Sequence, residues 1–101
     1  MRSVKQETAF KKDLKREMSG KYRDIIEEEL PGVVKELTKD IALPSKYKDH
    51  ALIGNWLGHR DCHIRPDLAL IYMKIGETTE SDEEKSGELR LVRLGNHSEL
   101  F

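Results

Sequence analysis

Cysteine and long apolar runs are both scarce in this sequence. Cys62 is the single cysteine, so no disulfide can form within the chain. Small secreted domains usually contain several disulfides, and we therefore expect the protein to work in the reducing cytoplasm. The longest apolar run, Leu68 to Met73, has six residues, whereas a membrane-spanning helix needs about 20. The opening residues, MRSVKQETAFKK, lack the pattern of a signal peptide. We therefore expect no contact with a membrane.

The sequence also lacks a large excess of either positive or negative charge. The formal net charge is −1, although 37% of the residues are charged. This balance by itself argues against a nucleic-acid binder. The distribution is uneven, however: residues 75–88 carry six acidic residues and one basic residue, whereas residues 1–24 carry eight basic and four acidic residues. Outside the acidic segment the chain is net basic, which leaves room for a phosphate-binding face.

The first half of the chain has a helical pattern. Apolar residues spaced four apart, beginning with Phe10, predict a helix over residues 8–19 with Thr8 as its N-cap. A second apolar pattern predicts a helix over residues 22–40. Pro31 interrupts that pattern, and proline in a helix interior removes a hydrogen bond. We therefore expect the second helix to kink or to break into two short helices.

The second half predicts an antiparallel sheet. Strands are expected at residues 59–64, 67–75 and 88–94, with an edge strand at residues 2–7. Residues 76–87 contain no apolar residue and predict a flexible acidic surface loop. The fold class is α+β, with N-terminal helices packed on a small antiparallel sheet. We expect a single domain over residues 1–101, in which residues 1–43 are the helical half and residues 44–101 are the sheet with the active site.

Histidine and aspartate cluster in this second half. All four histidines lie within residues 50–97. In a strand, His59, Asp61 and His63 project from one face, whereas Arg60 and Cys62 project from the other. Paired histidines can serve as general base and general acid near neutral pH. The pattern indicates acid–base chemistry, with Cys62 as a buried thiol and not a nucleophile.

Several separate motifs in this half resemble the YafQ branch of the RelE toxin superfamily. In chain order they are Tyr47-Lys48-Asp49-His50, Gly54-Asn55-Trp56, Gly58, Arg60-Asp61-Cys62-His63-Ile64, Pro66-Asp67, Leu70-Ile71-Tyr72 and Leu94-Gly95-x-His97-Ser98-Glu99-Leu100-Phe101. The resemblance is dense over residues 44–101. The helical half resembles the family only in pattern, mainly through the FKKDLKR run at residues 10–16.

The resemblance implies a fold and a function. The fold is the RelE-like, microbial ribonuclease-like fold. The function is that of the toxin in a type II toxin–antitoxin system of the bacterial cytoplasm. Such a toxin is a ribosome-dependent endoribonuclease that cuts translated mRNA in the A site without a metal or another cofactor, and so inhibits translation. The mRNA 2′-hydroxyl attacks the adjacent phosphate and leaves a 2′,3′-cyclic phosphate. The implied partners are the 70S ribosome, mRNA and a small DNA-binding antitoxin similar to DinJ.

The resemblance also implies which residues carry the chemistry. His97 is expected to be the general acid, and His50 and His63 to share the roles of base and phosphate stabilisation. Asp61 and Asp67 are expected to orient or tune the histidines. The expected substrate-binding residues are Phe101, which would stack on a base, together with Arg60, Lys11, Lys12 and Lys15.

Two alternatives remain open at this stage. A metal-binding hydrolase could use His59, Asp61 and His63, because two histidines and a carboxylate can form a metal site. A catalytically weakened family member could instead act as an antitoxin-binding or ribosome-binding protein. The first alternative predicts activity that depends on a metal, and the second predicts no growth arrest on expression.

Overall fold

The computed structural model describes residues 1–76 and 87–101. The strands are β1 (Ser3–Gln6), β2 (His50–Ala51), β3 (Arg60–Arg65), β4 (Leu68–Ile75) and β5 (Glu88–Gly95), and the helices are α1 (Thr8–Met18), α2 (Arg23–Thr38) and α3 (His97–Leu100). The acidic loop predicted for residues 76–87 falls outside the described residues, apart from Gly76 and Gly87. Within the described ranges, no helix is long and apolar enough to cross a bilayer.

The strands of the described ranges form one sheet in the order β1-β5-β4-β3-β2. The α+β fold is confirmed, but the sheet is mixed and not wholly antiparallel. Strand β1 runs parallel to β5, with Ser3 opposite Glu88, whereas the other pairs are antiparallel. Since two helices separate β1 from the rest of the sheet, no hairpin sets the direction of this edge strand. Local sequence patterns therefore could not reveal it.

The main core lies between the helices and one face of the sheet. Phe10 of α1 and Leu37 of α2 are almost fully buried against it. The sheet supplies alternate residues to this face, and these are Cys62, Ile64, Leu68, Leu70, Tyr72, Leu89, Leu91 and Leu94. The opposite face carries a smaller buried cluster of Ala69, Ile71, Val92 and Leu100. The two faces of the sheet are therefore unequal, with structural packing concentrated on the helical side.

The two helical predictions are confirmed in position but wrong in detail. Residue Glu7 is the N-cap of α1, and Thr8 is the first helical residue. Helix α2 continues through Pro31 without a break. Pro31 is exposed while Leu30 and Val33 on either side are buried. Core packing on both sides of the proline therefore holds the helix together, with Pro31 on its exposed side.

Asp13 joins helix α1 to strand β5. Its buried carboxylate accepts hydrogen bonds from Arg93 Nε at 2.6 Å, from the backbone N–H of Leu94 at 3.0 Å and from Arg16 Nη1 at 3.0 Å. Burial by itself raises the pKa of Asp13. The hydrogen bonds from Arg93 and Leu94 and the charges of both arginines outweigh burial, so the pKa lies below its ordinary value of 3.8. The ionised carboxylate is therefore the form that the fold stabilises.

Replacing Asp13→Asn is expected to lower the free energy of unfolding by about 2–3 kcal/mol. The amide is a weaker acceptor, and it leaves the charge of Arg93 without its partner. Urea unfolding followed by circular dichroism at pH 7 measures the change. As a control, Glu28→Gln alters an exposed carboxylate of α2 and should change stability by less than about 0.5 kcal/mol. Equal stability of the two variants would contradict the anchoring role of Asp13.

The contribution of Asp13 should also depend on pH. Because the pKa is lower in the folded protein, the stabilisation is fully present above the ordinary value of 3.8 and is lost as the pH falls through the lower folded value. The difference in unfolding free energy between wild type and Asp13→Asn should be constant at neutral pH and shrink below pH 3.8. A difference that grows on acidification would reverse the assigned sign.

Candidate active site

Asp61 is the centre around which three histidine rings meet. Strand β3 places its side chain on the face of the sheet opposite the helices, and the residue is fully buried. Its Oδ2 atom lies 3.5 Å from His63 Nε2, 3.8 Å from His50 Nε2 and 3.8 Å from His97 Nε2. The structure thus brings together four of the five predicted catalytic residues. The rings are far more exposed than the carboxylate, with half of His50 and His97 open to solvent.

His50 and His63 have their ring orientation set by backbone carbonyls. His50 Nδ1 lies 2.7 Å from the carbonyl oxygen of Lys48, and His63 Nδ1 lies 3.1 Å from that of Pro66. A carbonyl only accepts hydrogen bonds, so Nδ1 must be the protonated nitrogen in both rings. In each neutral ring the lone pair is therefore on Nε2, the atom that faces Asp61. A proton taken up there lies between the ring and the carboxylate.

His97 completes the group from the other end of the chain. It begins helix α3, and its Nε2 lies 3.4 Å from His63 Nε2. Two nitrogens at this distance can share one proton, so the rings form a continuous path for it. The ring of Phe101 lies 5.1 Å from that of His97 and is half exposed. The ring of Phe101 therefore borders the histidines, and its expected stacking on an RNA base stays a prediction.

Helix α3 is held by a capping box. Asn96 Oδ1 accepts a hydrogen bond from the Glu99 backbone N–H at 2.8 Å, and the Glu99 carboxylate accepts one from the Asn96 N–H at 3.1 Å. Leu100 is buried in the small cluster on this face, and Arg16 pairs with Glu99 at 3.3 Å. This helix was not predicted from the sequence, although asparagine followed three residues later by glutamate is a recognisable signal for it.

The carboxylate of Asp61 is buried without conventional hydrogen bonds. Among the described residues, none donates a hydrogen bond to either of its oxygens. A buried charge is costly unless it is paired. The three Nε2 atoms are the groups placed to supply a positive charge to it. The Asp61 carboxylate is therefore the shared neighbour of three histidine rings, two of which also contact each other.

Asp67 does not join this group. Its exposed carboxylate accepts a hydrogen bond from the Tyr22 hydroxyl and lies 3.9 Å from Lys21 Nζ. The hydrogen bond from Tyr22 lowers the pKa of Asp67, while burial and the Asp67 contact raise the pKa of Tyr22 to about 12. Asp67 thus ties the turn between β3 and β4 to the segment that joins the first two helices.

The predicted cationic residues also lie away from the histidines. Arg60 Nε lies 3.2 Å from Asp49 Oδ1 on the helical side of the sheet. This is the position that strand alternation predicts for a neighbour of Asp61. Lys11, Lys12 and Lys15 are exposed on α1, a helix that covers the opposite face of the sheet. The structure therefore places no predicted lysine or arginine in contact with the histidine group.

A possible metal site differs from the one that the sequence suggested. Ligand atoms of Asp61, His63 and His97 lie within 4.8 Å of one another, a spacing that a single ion could bridge. His59 is not part of this set, so the prediction of a His59, Asp61 and His63 site is wrong. His59 precedes β3, and its ring packs edge-on against Trp56 at 5.3 Å.

Cys62 is fully buried among the core residues on the helical face. Burial, with the nearby charges of Asp49 and Asp61, raises the pKa of its thiol. The thiolate form is therefore disfavoured, which agrees with the prediction of a structural cysteine.

Comparisons with known proteins find relatives along the chain. The family model described as the bacterial toxin of type II toxin–antitoxin system, YafQ, matches residues 2–101. The chain is 43% identical over 63 residues to the putative toxin YafQ of Haemophilus influenzae, and 38% identical over 65 residues to the mRNA interferase toxin YafQ of Escherichia coli K12. These matches cover 62% and 64% of this chain. The chain spans less than two thirds of either relative, 56% and 60% of their lengths.

Solved structures are similar over the full chain. A chain of the Escherichia coli DinJ–YafQ complex has a TM-score of 0.70 at 30% identity and covers 100% of this chain and 99% of that one. The metal-bound toxin from Helicobacter pylori has a TM-score of 0.73 at 35% identity, with both chains fully covered. The likeness therefore includes both the helices and the sheet that carries the histidine group.

Replacing Asp61→Asn is expected to raise the free energy of unfolding by about 1 kcal/mol, because it removes a buried charge that accepts no hydrogen bond from the described residues. Urea unfolding at pH 7 measures the change. Asp13→Asn is the matched comparison, since it alters a buried carboxylate that is fully hydrogen-bonded. The two variants should therefore shift stability in opposite directions. Destabilisation by both would show that Asp61 supports the fold as Asp13 does.

Proposed function

Because this chain belongs to the YafQ family of bacterial toxins of type II toxin–antitoxin systems, we propose that it is an endoribonuclease that cuts translated mRNA on the ribosome. The observation that carries the proposal is the convergence of three histidine Nε2 atoms within 3.8 Å of the buried Asp61 carboxylate. The name of the Escherichia coli relative, mRNA interferase toxin, supports the same activity.

The reaction proposed is attack of an mRNA 2′-hydroxyl on the adjacent phosphorus. Nε2 of His50 or His63 takes the hydroxyl proton as the O–P bond forms, since both rings keep their lone pair on that atom. His97 donates a proton from Nε2 to the 5′-oxygen as its bond to phosphorus breaks. The products are a 2′,3′-cyclic phosphate and a free 5′-hydroxyl. DNA lacks the attacking group and is not a substrate.

Proton transfer between His63 and His97 would restore the enzyme after each cut. The two Nε2 atoms are 3.4 Å apart, so a proton gained by the base can return to the acid without leaving the group. The imidazolium that forms also lies beside the phosphate, where it stabilises the negative charge of the transition state. Asp61 acts as a positioning residue, because its carboxylate holds the protonated rings.

Asp67 acts indirectly in this proposal. Its hydrogen bond from Tyr22 fixes the turn whose Pro66 carbonyl orients His63. Phe101 stacks on an unpaired base beside His97, and Lys11, Lys12 and Lys15 contact ribosomal RNA at a distance from the cut. Arg60 is paired with Asp49, so the proposal gives it no contact with the scissile phosphate.

The proposed setting is the bacterial cytoplasm, where residues 1–101 act as one toxin domain on the 70S ribosome. The structure of the DinJ–YafQ complex supports a cognate antitoxin of similar kind as the partner that keeps the toxin inactive. The net basic surface outside the acidic segment favours binding to ribosomal RNA through phosphate contacts.

A metal-dependent reaction is the second candidate. The spacing of Asp61, His63 and His97 and the metal-bound relative from Helicobacter pylori favour it. An ion there would occupy both the proposed acid and one proposed base, so the two mechanisms exclude each other at this site. Cleavage that survives EDTA supports the acid–base mechanism, and cleavage restored only by added metal supports the alternative.

Replacing His97→Ala is expected to slow cleavage about 10²- to 10⁴-fold, because the leaving oxygen loses its acid. Primer extension on mRNA from induced cells maps the cuts, and growth arrest reports the toxicity. Ser98→Ala is the matched control, since it alters the next exposed residue of α3 and should remain toxic. Codon-aligned cuts in the wild type and the control, and none in His97→Ala, are the expected result. Full toxicity of His97→Ala would show that His97 is not the general acid.

Normal growth on wild-type expression, with soluble protein present, would favour a weakened binding protein.

A further inference from the structure

His50 lies in a very short element for a proposed catalytic residue. Strand β2 has only two residues, lies at the edge of the sheet and pairs with β3 alone, with His50 opposite Asp61. Both of its residues are exposed. A two-residue edge strand contributes few hydrogen bonds of its own. Some other contact must therefore hold His50 within reach of Asp61.

That contact is made by the residue before it. Asp49 Oδ1 accepts a hydrogen bond from the Tyr72 hydroxyl at 2.6 Å and another from Arg60 Nε at 3.2 Å. Tyr72 is 1% exposed and lies in the middle of β4, directly opposite Arg60 of β3. We call this set of Asp49, Tyr72 and Arg60 the Asp49 anchor. It joins the residue before β2 to strands β3 and β4 on the helical side of the sheet.

Neighbouring residues of an extended strand point to opposite faces of the sheet. Asp49 reaches the helical side, where Tyr72 belongs to the main core, and His50 reaches the side of Asp61. Fixing the Asp49 side chain therefore fixes the backbone from which His50 projects. The anchor and the histidine are on different faces, so the anchor can position His50 without touching the substrate.

The backbone before Asp49 is strained. Lys48 has a φ of +49°, in the left-handed region that non-glycine residues rarely adopt. Its carbonyl in this conformation accepts the hydrogen bond from His50 Nδ1 at 2.7 Å. A strained residue persists when its surroundings hold it in place. The Lys48 N–H donates a hydrogen bond to the Ser45 carbonyl oxygen at 3.0 Å, and the Asp49 anchor holds the chain on its other side.

We propose that Asp49, Tyr72 and Arg60 are positioning residues that hold His50 in its Nδ1-protonated form with Nε2 directed at Asp61. The inference rests on the proposed function and takes His50, one of the two bases named there, as the ring whose Nε2 accepts the proton. Burial and the hydrogen bond to Asp49 raise the pKa of Tyr72, so its hydroxyl stays a donor to the anchor.

Replacing Tyr72→Phe removes the hydroxyl and keeps the ring in the core. We expect the rate of mRNA cleavage on saturating ribosomes to fall about 10- to 100-fold, as for a misplaced catalytic group. The ribosome concentration for half-maximal rate should change little, since the anchor does not touch the substrate. Tyr47→Phe is the matched control, because it also removes a tyrosine hydroxyl. Tyr47 lies two residues before Asp49, but its hydroxyl contacts Glu29 and not Asp49. Asp49→Asn is the second variant, in case Tyr72→Phe does not fold.

A double-mutant cycle separates positioning from general damage. In a His50→Ala background, Tyr72→Phe should cause no further loss of rate, because the residue it positions is already absent. A second loss of equal size would overturn the inference. An unchanged rate in Tyr72→Phe and Asp49→Asn with wild-type His50 would overturn it as well.

Nuclear magnetic resonance of the imidazole nitrogens tests the anchor in the free protein, without ribosomes. In the wild type and in Tyr47→Phe, His50 should show the Nδ1-protonated form. In Tyr72→Phe, His50 should show a mixture of both neutral forms, and His63 should be unchanged. If the wild type does not cleave mRNA, the proposed function is wrong. The His50 spectra still show whether the Asp49 anchor sets the protonated nitrogen of His50. Identical His50 spectra in wild type and Tyr72→Phe would overturn the anchor even where cleavage is observed.

Discussion

The buried carboxylate of Asp61 is the feature on which the site depends. It lies on the sheet face opposite the helices, with three histidine nitrogens within 3.8 Å of one oxygen. Within the described part of the chain it accepts no hydrogen bond. This single buried carboxylate is therefore the point where three histidine rings meet, and two of them come from outside strand β3.

On the helical side of the same sheet, a second buried carboxylate has a full set of hydrogen bonds. Asp13 accepts hydrogen bonds from Arg93, Arg16 and the Leu94 backbone, and it joins a helix to strand β5. The protein therefore uses two buried aspartates in opposite ways. One is fully hydrogen-bonded and stabilises the fold. The other has three histidine Nε2 atoms near one oxygen and accepts no hydrogen bond from the described residues.

Short elements carry the two most exposed histidines. His50 lies in a strand of two residues and His97 in a helix of four. Neither element is long enough to be stable alone. The Asp49 hydrogen bonds hold the first, and the capping box with buried Leu100 holds the second. These two rings are exposed on short elements, whereas Asp61 and His63 lie in the longer strand β3.

The amino-acid sequence by itself determined the α+β class, the two long helices, the three central strands and the family resemblance. These follow from periodic burial and from contiguous motifs, which are local properties. It also separated Asp61 and His63 from Cys62, because alternation along one strand is local too. Only the tertiary structure decided that His50 and His97 reach Asp61, that Asp67 turns to Tyr22, and that β1 runs parallel to β5. Each of these depends on contacts between segments far apart in the chain, and residue spacing carries no information about such contacts. Helix α2 continues through Pro31 for the same reason, because core packing on both sides outweighs the local tendency of proline to break a helix.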